Sequence, residues 1–380
     1  MSDWHARLQR TQHLASTLAA RGHDCYYFNP HLGRQYDKLY LLDPRPRAGE
    51  LRAHLSELHV RLPTEPVYHH RLLAPRETER LADALQPLAG RHGTGVVQVV
   101  SFPTWGDAAM LLRERHGWPI VYDCHDLLEG FGNIARQIVD AEPAMLERAD
   151  YVVFSSDYLR QAYEHRARLR PDRIALLRNA VDARFAPART SGRPVAGYIG
   201  ALQDWFDAEA VRAAATANPE ALFRIVGRVE HQPARALASL PNIELAGEAP
   251  HDRLPEFLSG FTIGLIPFVV NELTRAANPI KMYEYFSAGL PVVSTRLPEV
   301  ERYADLVYIA DSADDFARQV TRALKEDDAD LRKRRIELAR GETWDRRADE
   351  LVKIAQIILP GPDNPSVPAH RDRGPAKENR

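Results

Sequence analysis

Apolar runs of four to eight residues, nearly free of charge, punctuate the chain: VVQVV (96–100), PIVYDC (119–124), YVVF (151–154), LFRIVG (222–227), FTIGLIPF (261–268) and LPVVST (290–295). They are continuous rather than alternating, the pattern of strands buried on both faces of a parallel sheet. Between them lie stretches with apolar positions at helical spacing. Leu8, Leu14, Ala15 and Leu18 form such a stripe ahead of Gly22, and helices are also expected over 107–116, 137–149, DDFARQVTRALKE and the closing stretch 343–359. Further strands are expected at 24–29, NIELAGEAP and LVYIAD, with KLYLLDP and LHVRLP as two short ones around a charged helix between residues 38 and 63. Strand and helix alternate, so the class is α/β with doubly wound sheets. The stretch 187–193, with its Pro, Ser and Gly, reads as an interdomain linker, and the Pro-rich, charged tail 360–380 as disordered.

A length of 380 residues predicts two to three domains. With 44% apolar and 27% charged residues and a net charge of −2, the chain has an ordinary globular composition. Residues 1–190 hold 25 Lys+Arg against 23 Asp+Glu and the remainder 25 against 29, so neither half has the charge excess of a nucleic-acid binder. Cys25 and Cys124 form no disulfide framework and lack metal-ligand spacing, which predicts a reducing, cytoplasmic setting. No apolar run reaches the 18 or so residues of a membrane span, which leaves peripheral attachment open.

The most informative stretch is NPIKMYEYFSAGLPVVSTRLP (278–298). Asn278 is a good N-cap, Pro279 suits the first helical position and Gly289 suits a left-handed stop. In a right-handed βαβ unit this helix opens into the crevice at the carboxyl edge of the sheet, where its free N–H groups suit a phosphate. Lys281 and Glu284 share a helix face, matching a diphosphate and its ribose hydroxyls. The alternative, an exposed ion pair worth roughly 0.3 kcal/mol, has even weight on spacing alone. Other crevice positions are Gly200, which lets backbone approach a phosphate, and Arg228 at the exit of LFRIVG. There is no GxGxxG, so a dinucleotide oxidoreductase is not supported. His125 and Asp126 leave the strand PIVYDC where polar groups overhang a crevice; they offer a base, an acid or a hydroxyl contact, or else cap the next helix.

NPIKMYEYFSAGLPVVSTRLPE resembles the donor-binding segment of GT-B glycosyltransferases, in particular family 4, whose pattern is P-x-K-x-x-E-Y-x-A-x-G-x-P-V-V. ADYVVFSSDYL resembles the family's ADxVxxxSxxL, and RIALLRNAVDARF resembles I-x-N-G-V-D-x-x-x-F with Ala180 in the glycine position. The resemblance implies two Rossmann-like domains facing a central cleft. Residues 1–187 would form the acceptor side, 188–342 would bind the nucleotide-sugar donor, and 343–359 would cross back to the first domain. VYDCHDLLEGF is similar to the segment in which a histidine contacts the donor and, in inverting relatives, an aspartate acts as base. Trp4, Arg7, Gln9 and Arg10 would line the acceptor side, with no room before them for the usual first strand. Ser155 and Ser156 are within reach of ligand, but capping the next helix is their expected duty.

The pattern is broken twice. The family's G-R-L and following lysine are replaced by Gly200-Ala201-Leu202 and Gln203-Asp204-Trp205, leaving Lys281, Arg228 and Arg275 to meet the diphosphate charge. The first glutamate of E-x7-E is Ala276. The resemblance implies transfer of a sugar from a UDP- or GDP-sugar to a hydroxyl acceptor in polysaccharide, glycolipid or secondary-metabolite assembly, without a metal or resident cofactor. The alternatives are a nucleotide-sugar epimerase on the same fold and a non-catalytic, nucleotide-binding homologue, an idea that the losses at Ala201 and Ala276 keep open.

Overall fold

The computed structural model describes residues 4–5, 8–29, 47–62, 68–182 and 192–360. The C-terminal lobe is built on one parallel sheet of six strands: β8 (Val195–Ile199), β9 (Leu222–Val226), β10 (Ile243–Gly247), β11 (Ile263–Ile266), β12 (Val292–Thr295) and β13 (Val307–Ala310), in the spatial order β10-β9-β8-β11-β12-β13. Winding therefore reverses between β8 and β11, the switch point at which open α/β sheets bind ligands. Ala196, Tyr198, Phe223, Ile225, Leu265 and Val293 are fully buried, because helices cover both faces.

The N-terminal lobe is also α/β, but its strands fall into two sheets. One is parallel and four-stranded: β4 (Gln98–Val100), β5 (Ile120–Cys124), β6 (Tyr151–Phe154) and β7 (Ile174–Leu176). The other has β1 (Cys25–Phe28) parallel to β3 (Leu55–His59), with β2 (Arg47–Arg52) antiparallel on the far side of β3. Among the described residues no strand precedes the helix Arg10–Ala20.

Where a charged helix was expected, β2 and β3 form a hairpin that turns through His54 at φ 62°. Alternation decided the outcome, since Leu55, Glu57 and His59 face inward and Ser56 and Leu58 are only half-buried. KLYLLDP lies outside the described residues. Strand VVQVVSFPTW is shorter than expected, giving way after Val100 to a single turn over Pro103–Trp105.

Chain segments pass between the lobes side by side. Val181 bridges to Thr343, Val181 N donates to Glu342 O (2.9 Å), and Trp344 N donates to Val181 O (3.4 Å). The closing helix Trp344–Ile358 then lies on the N-terminal lobe, where Trp344, Leu351, Ile354 and Ile358 pack with Leu14, Val121 and Tyr151.

Candidate active site

The exits of β8 and β9 nearly touch. Gly200 (φ 148°) and Gly227 (φ 154°) adopt backbone that disfavours other residues, and a Cβ on Gly227 would lie 1.8 Å from Gly200 O. A Cβ on Gly200 would lie 3.3 Å from Lys281 Cε. Gly200 and Lys281 are thus brought together at the switch point, where the strand exits need close approach.

Helix Ile280–Ser287 begins one residue later than expected. Pro279 is its N-cap rather than its first helical residue, and Asn278 caps nothing. Asn278 instead joins the two lobes: its Oδ1 accepts from Asn179 N of the N-terminal lobe (2.8 Å), and its Nδ2 donates to Glu299 Oε2 (3.1 Å) and Tyr283 OH (3.1 Å) of its own lobe. Its carbonyl accepts from Asn179 Nδ2 (2.6 Å). Proline cannot donate at a helix start and fixes φ, so it closes the helix off and frees the amide before it. The stop is as expected, with Gly289 at φ 71°.

On the first turns of this helix, Lys281 Nζ lies over the rings of Phe268 (4.7 Å) and Tyr198 (5.4 Å). One turn on, Glu284 is 6% exposed. Neither the Lys281 amine nor the Glu284 carboxylate makes a hydrogen bond or ion pair among the described residues. Burial pushes Lys281 down to about 8, against the pull of Glu284. Burial pushes Glu284 up to about 7, with Asp182 adding to the rise and Lys281 opposing it. Lys281 is half-buried and Glu284 buried, and ionisable groups shifted in this way without hydrogen-bond partners cluster at functional sites.

The other cations do not join them. Arg228 is exposed and pairs with Glu230 (2.9 Å), beside Gly227 at the β9 exit. Arg275 is exposed on the helix Glu272–Ala276, whose Glu272 accepts from Tyr158 OH of the N-terminal lobe (2.7 Å). Both side chains prefer solvent because each has a carboxylate or open water at hand, which sequence spacing does not reveal.

In the N-terminal lobe, β5 ends on Asp123 and Cys124 and delivers His125 and Asp126. His125 Nδ1–H donates to Asp123 O (3.0 Å), and its Nε2 lies 3.5 Å from Asp126 Oδ2. Ser155 Oγ donates to His125 O (2.9 Å) and fixes the turn. Asp123 is itself clamped by Arg10, whose Nε and Nη2 donate to Oδ1 at 3.0 and 2.8 Å while Nη1 donates to Asn179 Oδ1 (3.1 Å). Burial is the largest single influence and would raise the Asp123 carboxyl, but the Arg10 charge, His125 and the Arg10 hydrogen bonds together outweigh it and hold the group below the usual range.

Arg10 is therefore a buried support and not a lining residue of the acceptor side. Trp4 packs edge-on against Tyr27 (4.9 Å) and exposed Gln9 caps the first helix; Arg7 lies outside the described residues. Ser156 does cap its helix, accepting from Leu159 N (3.0 Å), and its hydroxyl also reaches Ala276 O of the other lobe (2.6 Å). Sequence reasoning missed the joint that surrounds this contact. Glu299, 1% exposed, accepts from Asp157 N (3.0 Å) and Arg178 Nε (2.7 Å) as well as from Asn278. No signal marks a lone glutamate as an interlobe joint. Pro298, which opens the short helix carrying Glu299, and the Asn179 of the RNAVD stretch are the hints.

Two lobes on parallel sheets, facing each other through strand-exit loops, define the GT-B class of transferases. Residues 9–185 match Glycosyltransferase Family 4 and residues 193–326 match Glycosyl transferases group 1, and the chain belongs to this family of GT-B glycosyltransferases. It is similar to TuaH of Bacillus subtilis (strain 168), named as a teichuronic acid biosynthesis glycosyltransferase, at 27% identity over 77% of this chain and 78% of that protein. Its fold is similar to a glycosyltransferase of Rickettsia africae ESF-5, with a TM-score of 0.64 at 16% identity, covering 92% of this chain and 94% of the other. It is likewise similar to Anabaena Alr3699/HepE in complex with UDP and glucose, with a TM-score of 0.59 at 13% identity over 73% and 82% of the two chains. Among the described residues no helix is long and apolar enough to cross a membrane.

Proposed function

We propose that this glycosyltransferase takes a sugar from a nucleotide diphosphate donor, UDP-linked in the first instance, and passes it to a hydroxyl of a growing polysaccharide or glycolipid. The observation that carries the donor reading is the half-buried Lys281 and the buried Glu284, neither with a hydrogen-bond partner among the described residues, at the glycine-lined switch point. Lys281 faces the diphosphate beside the helix start, and Glu284 receives the ribose hydroxyls. Residues 188–342 hold the donor, residues 1–187 present the acceptor, and Asp126 and His125 overhang the reacting carbon. Asp126 takes the acceptor proton as the nucleotide leaves, with Nε2 of His125 as its neighbour on the sugar hydroxyls. Cationic and backbone groups of the chain meet the phosphate charge without a resident cofactor. The UDP bound to the Anabaena protein and the teichuronic acid name of TuaH support this choice of donor and product class. The two free cysteines fit a cytoplasmic site of action.

Calorimetric titration with UDP and GDP tests the donor reading. Removing a charged hydrogen bond to phosphate costs about 1.5–3 kcal/mol, so Lys281→Ala is expected to weaken UDP about tenfold to a hundredfold. Unchanged affinity in both Lys281→Ala and Glu284→Ala would refute the site.

The pH dependence follows from the same pair. Below about 7 Glu284 takes up a proton and no longer accepts two hydroxyls; above about 8 Lys281 loses its charge. UDP affinity should therefore peak between those values and fall on both sides. A flat titration profile from pH 6 to 9 would contradict the pairing.

A non-catalytic reading gains from Ala276, whose side chain is sealed in the N-terminal core instead of facing a donor sugar. Nucleotide binding with no hydrolysis or transfer across a panel of UDP- and GDP-sugars would favour it.

A further inference from the structure

The loop that leaves Asp126 is gripped by the opposite lobe. It runs through the buried Leu127 and Leu128 and a single turn over Leu128–Gly130 to Phe131. Gly130 sits so close to the helix Glu272–Ala276 that an added Cβ would lie 2.6 Å from Leu273 Cβ. The next residue, Phe131, meets Trp205 edge to face, with ring centroids 6.2 Å apart at 85°. Both rings are half-buried.

Trp205 is in turn tied to the donor-side groups. Its carbonyl accepts from Val269 N (2.8 Å), Asp207 N donates to Pro267 O (2.8 Å), and Phe206 bridges to Phe268, the ring under the Lys281 amine. A continuous set of contacts thus runs from Lys281 through Phe268 and the 205–206 backbone to the Trp205 ring, across to Phe131, and back along the loop to Asp126. Trp205 stands in the stretch after Gly200 where the family pattern has a lysine.

We propose that Trp205 is a positioning residue: its contact with Phe131 couples nucleotide at Lys281 to the placement of the loop that carries Asp126. This rests on the donor reading above. An edge-to-face aromatic pair is directional, so a small shift of the 200–206 loop on filling the donor site moves the Phe131 ring and the turn behind it.

Amide hydrogen exchange of residues 126–132 in the full chain, with and without saturating UDP, tests this. UDP affinity is measured first on each variant. In the unaltered protein UDP is expected to slow exchange of this segment about tenfold, within the range that packed networks transmit. Trp205→Ala and, from the other lobe, Phe131→Ala should each keep UDP affinity within about threefold of the parent while losing the slowing. Trp205→Phe, which retains an aromatic edge, should restore it. Slowing that persists in both alanine variants overturns the proposal, as does its absence in the unaltered protein. A fall in UDP affinity that matches the loss of slowing also overturns it, making Trp205 a ligand contact. No binding of UDP or GDP by the unaltered protein overturns the donor reading instead, and with it this inference.

Discussion

Asp126→Asn is expected to reduce sugar transfer by about 10²–10⁴ in kcat, the range that a positioned general base contributes, while UDP binds as before. The substitution keeps the size of the side chain and removes only its capacity to take a proton. Asp126 is well placed for that effect. Its carboxylate is partly open to the cleft, 3.5 Å from His125 Nε2, and the loop beneath it is fixed by Ser155 and by the buried Asp123. Steady-state rates at saturating donor, with UDP affinity in parallel, decide the matter. Wild-type turnover in the variant would remove Asp126 as base and leave His125 Nε2 as the remaining candidate.

The second large effect is on stability. Arg10→Ala should destabilise the N-terminal lobe by about 3–5 kcal/mol, since it strands a buried carboxylate whose partner has gone. Arg10 is 3% exposed and Asp123 fully buried, with three charged hydrogen bonds between them. The lobe can recover only by protonating Asp123. The folded-state pKa of Asp123 is depressed by Arg10, so the stability contributed by the pair is present at neutral pH. It is lost as the pH falls through the acid range. Denaturant unfolding at pH 7 and again at pH 3 should accordingly show a wide gap between parent and variant at the first and a narrower one at the second. Equal gaps at both would show that Arg10 acts through packing of its stem and not through Asp123.

How much could be read from the letters alone depended on the range of the interaction. Continuous apolar runs marked β4, β5, β6, β9, β11 and β12, because a strand buried on both faces favours such a composition. Gly289 was legible for the same local reason. The hairpin β2-β3 was not, as charged Arg47, Glu50 and Arg52 masked a short inward stripe of Leu55, Glu57 and His59. Lys281 and Glu284 shared a face in the sequence; that Glu284 is buried and Lys281 half-buried, neither with a partner among the described residues, required the third dimension. Asn278 shows the limit most clearly. Its residue type and place before a proline suit a cap, yet Asn179 and Glu299 of distant segments compete for its amide, and no local rule weighs them.

The closing helix has a practical consequence for dissecting the molecule. Since Trp344, Leu351, Ile354 and Ile358 complete the apolar face formed by Leu14, Val121 and Tyr151, the first lobe is assembled from both ends of the polypeptide. A truncation ending near residue 182 would bare that face to water and invite aggregation. Split-gene expression would have to supply residues 343–360 in trans, or graft them by a short tether behind Asp182, for the fragment to stay in solution.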